Sequence, residues 1–249
     1  MKFTIKLFFI FSLLSNTLFF SQHLKVEYEQ YDRANIEDAS LSKEFNDKVK
    51  EVLKKPKTFF LYYANGYSFF KSIPRKSFTN NAGDLKEGNN SIHNREIYSE
   101  VELRLFHYKN DNGTYNYHFF PNLNEEFYGY KDSKFAKIEY KDETINIDKY
   151  LCKLVEVSPD SINNYKIWYT EDIPVSAGPY VFNSFPGLVL RIEAPNYTIT
   201  AIKISNETKE ADVEKLNPKI KVYKNEDYDK KMQQIREEQS KPTTEEIRL

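Results

Sequence analysis

The chain has 249 residues, with 36 Lys and Arg against 37 Asp and Glu, 16% aromatic residues and one cysteine. A formal charge of −1 with no basic stripe excludes nucleic acid and anionic membrane surfaces as partners. A single cysteine excludes an internal disulfide framework, so the fold must rest on its apolar core.

Residues 1–22, MKFTIKLFFIFSLLSNTLFFSQ, place Lys2 and Lys6 ahead of an apolar run from Leu7 to Phe20, then small and polar residues. These are the parts of a secretory signal peptide, and the apolar run is shorter than the roughly 20 residues a bilayer-spanning helix needs. We expect cleavage after Gln22. No cysteine stands at the cut to accept a lipid, so the expectation is an exported, soluble protein of the periplasm or cell surface, not an integral membrane protein. Removal of two lysines leaves 34 basic against 37 acidic residues. The remainder reads as one domain over residues 23–240, followed by a polar, frayed tail over 241–249.

In SLSKEFNDKVKEVLKKP, Leu41, Phe45, Val49 and Val52 recur at helical spacing, with Ser40 to cap the start and Lys54, Lys55 and Pro56 at the end. KTFFLYYANGYSFFKSI then joins two aromatic runs through Asn65-Gly66, the pair best suited to a type I′ hairpin turn. Thr79–Ser91 reads as a long polar loop. VELRLFHYKNDNGTYNYHFF repeats the hairpin design with Asn112-Gly113. A two-residue turn there would set His107 opposite His118, on the face of Leu105 and Phe120. Two imidazoles can begin a metal site but do not complete one. The calcium-loop pattern fails as well, because it needs an acid where Tyr108 stands. We therefore expect no metal and no cofactor.

Five further strand-like runs follow at close spacing: FYGYKDSKFAKIEY, DKYLCKLVEV, YKIWYTED, LVLRIEA and YTITAIKIS. Most linkers are too short for crossover helices, so neighbouring strands should be antiparallel. Cys152, among apolar residues, reads as a small buried hydrophobe. Glu125-Glu126 and Glu171-Asp172 are adjacent acids that point to opposite strand faces, the pattern of solvated surface. No GxSxG elbow, HExxH helix or phosphate-cradling loop is present. NEDYDKKMQQIREE forms a last helix, with Asn225 as its cap and Tyr228, Met232 and Ile235 as its apolar stripe.

The most distinctive stretch is IPVSAGPYVFNSFPGLVLRIE, Ile173 to Glu193. Pro174, Pro179 and Pro186 each fix a backbone angle and remove a ladder donor, so this loop cannot extend the sheet smoothly. Pro186-Gly187 suits the centre of a type II turn with positive φ at Gly187. The loop should fold Tyr180, Phe182 and Phe185 over the sheet. It either closes the core or forms a binding lip, and both readings stay open.

Trp168, Tyr169, Thr170, Ile173, Pro174, Gly178, Pro179, Tyr180, Phe182, Pro186, Gly187 and Leu188 follow a longer pattern, with Cys152 upstream in YLCKL. This resembles the signature of the GLPGLI family of exported Bacteroidetes proteins, from Leu24 to Ser205. Ser184-Phe185 replaces the first Gly-Leu of that signature, and Val189 its isoleucine. The resemblance implies an envelope protein that accompanies outer-membrane TonB-dependent receptors, and it supplies no reaction. The fold expected is mainly β (α+β): a strongly curved antiparallel meander or half-open barrel with one helix near each end, or a flatter sheet with helices on one face. The function expected is a non-catalytic binding or accessory module of the cell envelope, for an outer-membrane receptor, a peptide or an apolar ligand. The alternative is a secreted hydrolase without a recognisable motif.

Overall fold

The first strand shows how alternation becomes a sheet. In the computed structural model, which describes residues 23–33, 43, 47, 55–74, 85–87, 90–92, 102–159, 163–206 and 209–240, β1 (His23–Asp32) buries Leu24, Val26 and Tyr28. Lys25, Glu27 and Glu29 between them stay half-exposed on the other face.

Two antiparallel meanders grow outward from this strand. On one side lie β2 (Lys57–Ala64), β3 (Tyr67–Ser72), β6 (Arg104–Tyr108), β7 (Gly113–Phe120) and β8 (Glu125–Asp132), in that spatial order. On the other lie β13 (Tyr197–Ser205), β12 (Leu188–Glu193), β11 (Tyr165–Thr170), β10 (Tyr150–Ser158) and β9 (Lys137–Ile147). The antiparallel pairing of β1 with β13 joins the two meanders. β14 (Val222–Lys224) adds to β8 as the one parallel pair of this sheet, completing twelve strands that do not close. β4 (Leu85–Glu87) and β5 (Asn90–Ile92) form a separate small ribbon. The mainly β, open, antiparallel meander expected from the sequence is therefore the fold.

Consecutive residues send their side chains to two cores. Phe70 and Leu105 join the larger cluster, centred on β1 and the β10–β12 strands. Phe69 and Phe106, one position away, join a smaller cluster with Tyr115, Tyr128 and Tyr130. The chain between β13 and β14 covers this second face with Val213, Leu216 and Ile220. The hydroxyls of Tyr108 and Tyr128 hold it there, accepting from the backbone N–H of Leu216 at 2.9 Å and of Asn217 at 3.1 Å.

The C-terminal helix α1 (Asn225–Gln239) packs on β8 and β14. Ile235 is buried while Tyr228 and Met232 are half-buried, as the apolar stripe required. The Tyr228 ring occupies the space that a side chain at Gly129 would need. Asn225 does not cap this helix. Lys224 is the cap residue, and Asn225, at φ 49°, accepts instead from the Asp132 backbone N–H. Of the expected N-terminal helix, Lys43 and Asp47 are described and are helical; the rest lies outside the described residues. So do residues 1–22 and 241–249.

Two local expectations are corrected. The polar stretch Thr79–Ser91 holds β4 and most of β5 rather than only loop. Across β6 and β7, Leu105 faces Asn116 and Phe106 faces Tyr115, so Asn112-Gly113 is not a two-residue turn. His107 consequently does not stand opposite His118.

Candidate functional site

The motif begins inside the core. Trp168, Tyr169 and Thr170 end β11 and are buried, and the Trp168 indole N–H donates to Glu193 at 3.3 Å. From there residues 171–187 loop out and return to Leu188, the buried first residue of β12. Ile173 is half-buried, Pro174 and Pro186 are exposed, and Gly178 and Pro179 are buried. The loop lies along the start of β12, where the Val189 N–H donates to Ala177 O at 2.9 Å and the Leu188 N–H to Ile173 O at 3.1 Å.

Three rings fasten it to the sheet. Phe185 stacks on Tyr169 at 6.1 Å and Phe182 on Phe135 at 5.8 Å, both phenylalanines being buried. Tyr180 reaches further, edge-on to Phe59 at 5.7 Å, Phe70 at 5.1 Å and Tyr197 at 5.8 Å, and its hydroxyl donates to the Gln30 side chain. Such ring pairs contribute about 0.5–1.5 kcal/mol each. They offset a strained backbone, because Tyr180 sits at φ 56°, a left-handed angle that bulky residues avoid.

The expected positive φ at Gly187 is not found; Gly66 is the positive-φ glycine among the described residues. Gly187 is small for another reason: a Cβ there would overlap the Thr170 carbonyl oxygen. The strained position of the motif is its tyrosine, not its last glycine. The buried rings agree with the closure reading, and the half-buried Tyr180 faces the core rather than a lip.

Beyond Tyr180 the loop meets β6. The buried His107 donates from Nε2–H to the Tyr180 carbonyl at 2.8 Å, and its Nδ1 accepts from the Asn183 amide at 2.6 Å. Burial pushes its pKa down to about 4, against the opposing pull of the Tyr180 and Gly113 carbonyls. His118 is held elsewhere, sharing a hydrogen bond with the Tyr228 hydroxyl at 2.7 Å, and burial also lowers it to about 4. Among the described residues no group of three or more His, Cys, Asp or Glu comes together to hold a metal. Cys152 is buried, and burial raises its thiol to about 11, which fits a packing role.

His107 and Asn183 line a cleft of about 830 Å³ where four separate segments meet. The β2–β3 hairpin supplies Tyr63 and Ser68, and the β6–β7 turn supplies Lys109, Asp111 and Asn112. The end of β8 adds Asp132, Ser133 and Lys134, while the motif loop adds Pro174, Ser176 and Ser184. The walls are mostly hydroxyl, amide and charged groups. Asp111 accepts from the Tyr115 hydroxyl at 2.8 Å, and Lys134 lies 3.3 Å from Asp132 and lowers its pKa. The Ser133 hydroxyl oxygen is buried and has no hydrogen-bond partner among the described residues. Of the thirteen motif residues singled out in the sequence, only Pro174 lines this cleft. The sequence had named His107 and Asn112 only for a hairpin turn, and the cleft itself went unseen because its wall residues lie on segments far apart in the chain.

The profile of the N-glycanase peptide, N-terminal domain, matches residues 99–229, just over half of the chain. The chain belongs to that family. The matched region contains the whole Ile173–Glu193 stretch that resembles the GLPGLI signature. Among solved structures, PNGF-II in a C2 crystal form shares 14% identity at a TM-score of 0.51, covering 85% of this chain and 32% of that one. PNGF-II in a P21 form shares 14% identity at a TM-score of 0.53, covering 84% and 32%. This chain thus spans about a third of the length of the PNGF-II chain, and the likeness is one of fold. No curated protein matches the chain.

Proposed function

We propose that this chain is an exported, non-catalytic recognition module for glycosylated protein, accessory to N-glycan release, and that the polar cleft holds part of the glycan. The observation that carries this reading is the cleft's chemistry. Serine hydroxyls, Asn112 and Asn183 amides and two aspartates converge on a space large enough for a small ligand, with Tyr63 and Tyr108 rings in its wall. Lys109 and Lys134 balance Asp111 and Asp132, so the site favours a neutral ligand rich in hydroxyl groups over an apolar one or a strongly charged one. The family name adds the glycoprotein context, and the charged-apolar-polar layout of residues 1–22 supports export. The GLPGLI-like motif supports an envelope location and would bring an outer-membrane receptor within reach as a further partner.

The hydrolase alternative has weaker support. The carboxyls whose pKa moves, Asp132 and Glu139, move down beside lysines, the direction opposite to that of a general acid. His107, the strongly shifted group of the cleft, has both ring nitrogens engaged.

Titration of a labelled neutral N-glycopeptide, and of the same peptide without its glycan, tests the proposal. Saturable binding of the first alone is expected, weakened by Ser176→Ala and Asn112→Ala. Equal binding of both peptides would remove the glycan from the reading. Mass spectrometry of the incubated glycopeptide checks catalysis, and release of an aspartate-bearing peptide would restore the hydrolase. N-terminal sequencing of the native protein should begin at His23.

A further inference from the structure

The imidazole at the back of the cleft has a defined polarity. Its Nε2 faces a backbone carbonyl, Tyr180 O at 2.8 Å, which only accepts, so Nε2 must carry the hydrogen. In the neutral ring Nδ1 is then an acceptor. Asn183, 2.6 Å away, must turn its Nδ2 toward that nitrogen. Its amide oxygen therefore points away from the ring, where it accepts from the Ser184 hydroxyl at 3.4 Å with a second lone pair free of that contact. Both His107 and Asn183 line the cleft.

We infer that His107 is a positioning residue: by accepting the Asn183 amide N–H it fixes that side chain with its oxygen available to the cleft, so this wall recognises a ligand through hydroxyl or amide N–H donors. The inference rests on the cleft being the binding site. It goes further in stating which hydrogen-bonding sense the ligand must have, and in assigning that sense to a residue whose ring nitrogens are spent on the loop. The arrangement also has an alternative state. The Gly113 carbonyl and Thr114 hydroxyl both lie 3.3 Å from Nδ1, so a protonated ring finds acceptors there and can no longer hold the Asn183 N–H. Ionisable neighbours are Tyr63 on β2, Tyr108 at the end of β6, Lys109 and Asp111 on the turn after it, Asp132 and Lys134 at the end of β8, and Asp32, which acts on Tyr180. The loop side of the cleft contributes the neutral Pro174, Ser176, Asn183 and Ser184.

Nitrogen-15 NMR of the whole chain tests the polarity without a ligand. We expect the Nε2–H pattern for His107 at neutral pH, and an Asn183 side-chain amide signal that titrates with the imidazole at the same midpoint. Binding of a labelled neutral N-glycan should weaken about tenfold in Asn183→Ala, the cost of one good hydrogen bond to a ligand, with the fold unchanged by circular dichroism. An Nδ1–H pattern, or an Asn183 signal unmoved while His107 titrates, overturns the inference even if the glycan binds. Equal affinity of wild type and Asn183→Ala overturns it as well. A wild type that binds no glycan but shows the expected NMR pattern would instead remove the cleft reading and the ligand assigned to this wall.

Discussion

Two hairpins of this sheet turn on the same dipeptide and come out differently. In the β2–β3 hairpin, Asn65 and Gly66 both adopt positive φ, 51° and 87°, and Ala64 pairs flush with Tyr67. That is the two-residue type I′ turn the sequence announces. In the β6–β7 hairpin, Asn112 ends a four-residue turn, and Gly113 is already the first residue of β7. The difference lies in what stands beside the glycine. A Cβ at Gly66 would meet Cβ and Cδ of Lys109, both at 2.8 Å, and no backbone. A Cβ at Gly113 would overlap the Lys131 carbonyl and meet the Tyr130 ring at 2.6 Å, because β8 runs alongside. The first glycine serves the turn; the second serves the next strand. Tertiary neighbours can claim a residue that local turn chemistry would have used.

The shift has a functional consequence. With the flush register His107 would have faced His118; in the observed one it reaches the motif loop. The largest expected effect is therefore specific to the second hairpin. His107 is lowered from about 6.5 to about 4 in the folded protein, so between those values the unfolded chain binds more protons. Stability from this group is complete above about pH 6.5 and is lost as pH falls through 4, amounting to about 3 kcal/mol. Urea denaturation from pH 7 to 4 should show this loss, and His107→Gln should flatten the slope relative to wild type. An unchanged slope would break the assignment of a buried neutral imidazole.

Next in size come the two glycines themselves. Gly113→Ala forces backbone or ring movement in β8 and should cost about 2 kcal/mol, in the range of overpacking. Gly66→Ala meets the angle penalty, about 1 kcal/mol, and a contact with Lys109 Cβ and Cδ, but no backbone atom. Denaturant midpoints of the two variants measure the gap. If Gly66→Ala proves the costlier, the distinction between turn glycine and packing glycine is wrong.

The same contrast shows what the sequence could and could not disclose. The antiparallel meanders, the first hairpin, the buried Cys152 and the α1 stripe follow from local period and composition. The motif loop was legible as a stiff segment that folds its rings over the sheet, because its prolines and rings are contiguous; closure and lip could not be told apart there. Three features depended on distant partners. β13 returns to pair with β1, and the Tyr28 hydroxyl reaches one strand further, to the Val189 carbonyl 161 residues away. β14 slots parallel to β8 after a long crossing of the sheet face. The His107–Asn183 contact spans 76 residues, and no spacing rule links an imidazole in one hairpin to an amide in a loop on the far meander. The left-handed Tyr180 was equally hidden, since its strain is held by aromatic contacts from β2, β3 and β13.

A third hairpin gives the smallest and sharpest test. β9 and β10 meet through Asp148-Lys149, with Ile147 facing Tyr150, so this turn is also two residues long but has no glycine. Asp148 alone takes the positive angle, at φ 52°. An aspartate tolerates that region through local hydrogen bonding, whereas a β-branched residue does not. Asp148→Gly would relieve the angle but would also give the unfolded chain more freedom to lose, about 0.5–1 kcal/mol in the opposite sense. The two terms nearly cancel, so the expected change is within about 0.5 kcal/mol of zero. Asp148→Val, which keeps the strain and removes the side-chain oxygen, should cost about 1 kcal/mol. Thermal denaturation of the pair at one pH separates them. If glycine at 148 stabilised the fold by well over 1 kcal/mol, aspartate would be a strained substitute there. The turn would then have to be held by the strands it joins, as the second hairpin is held by β8.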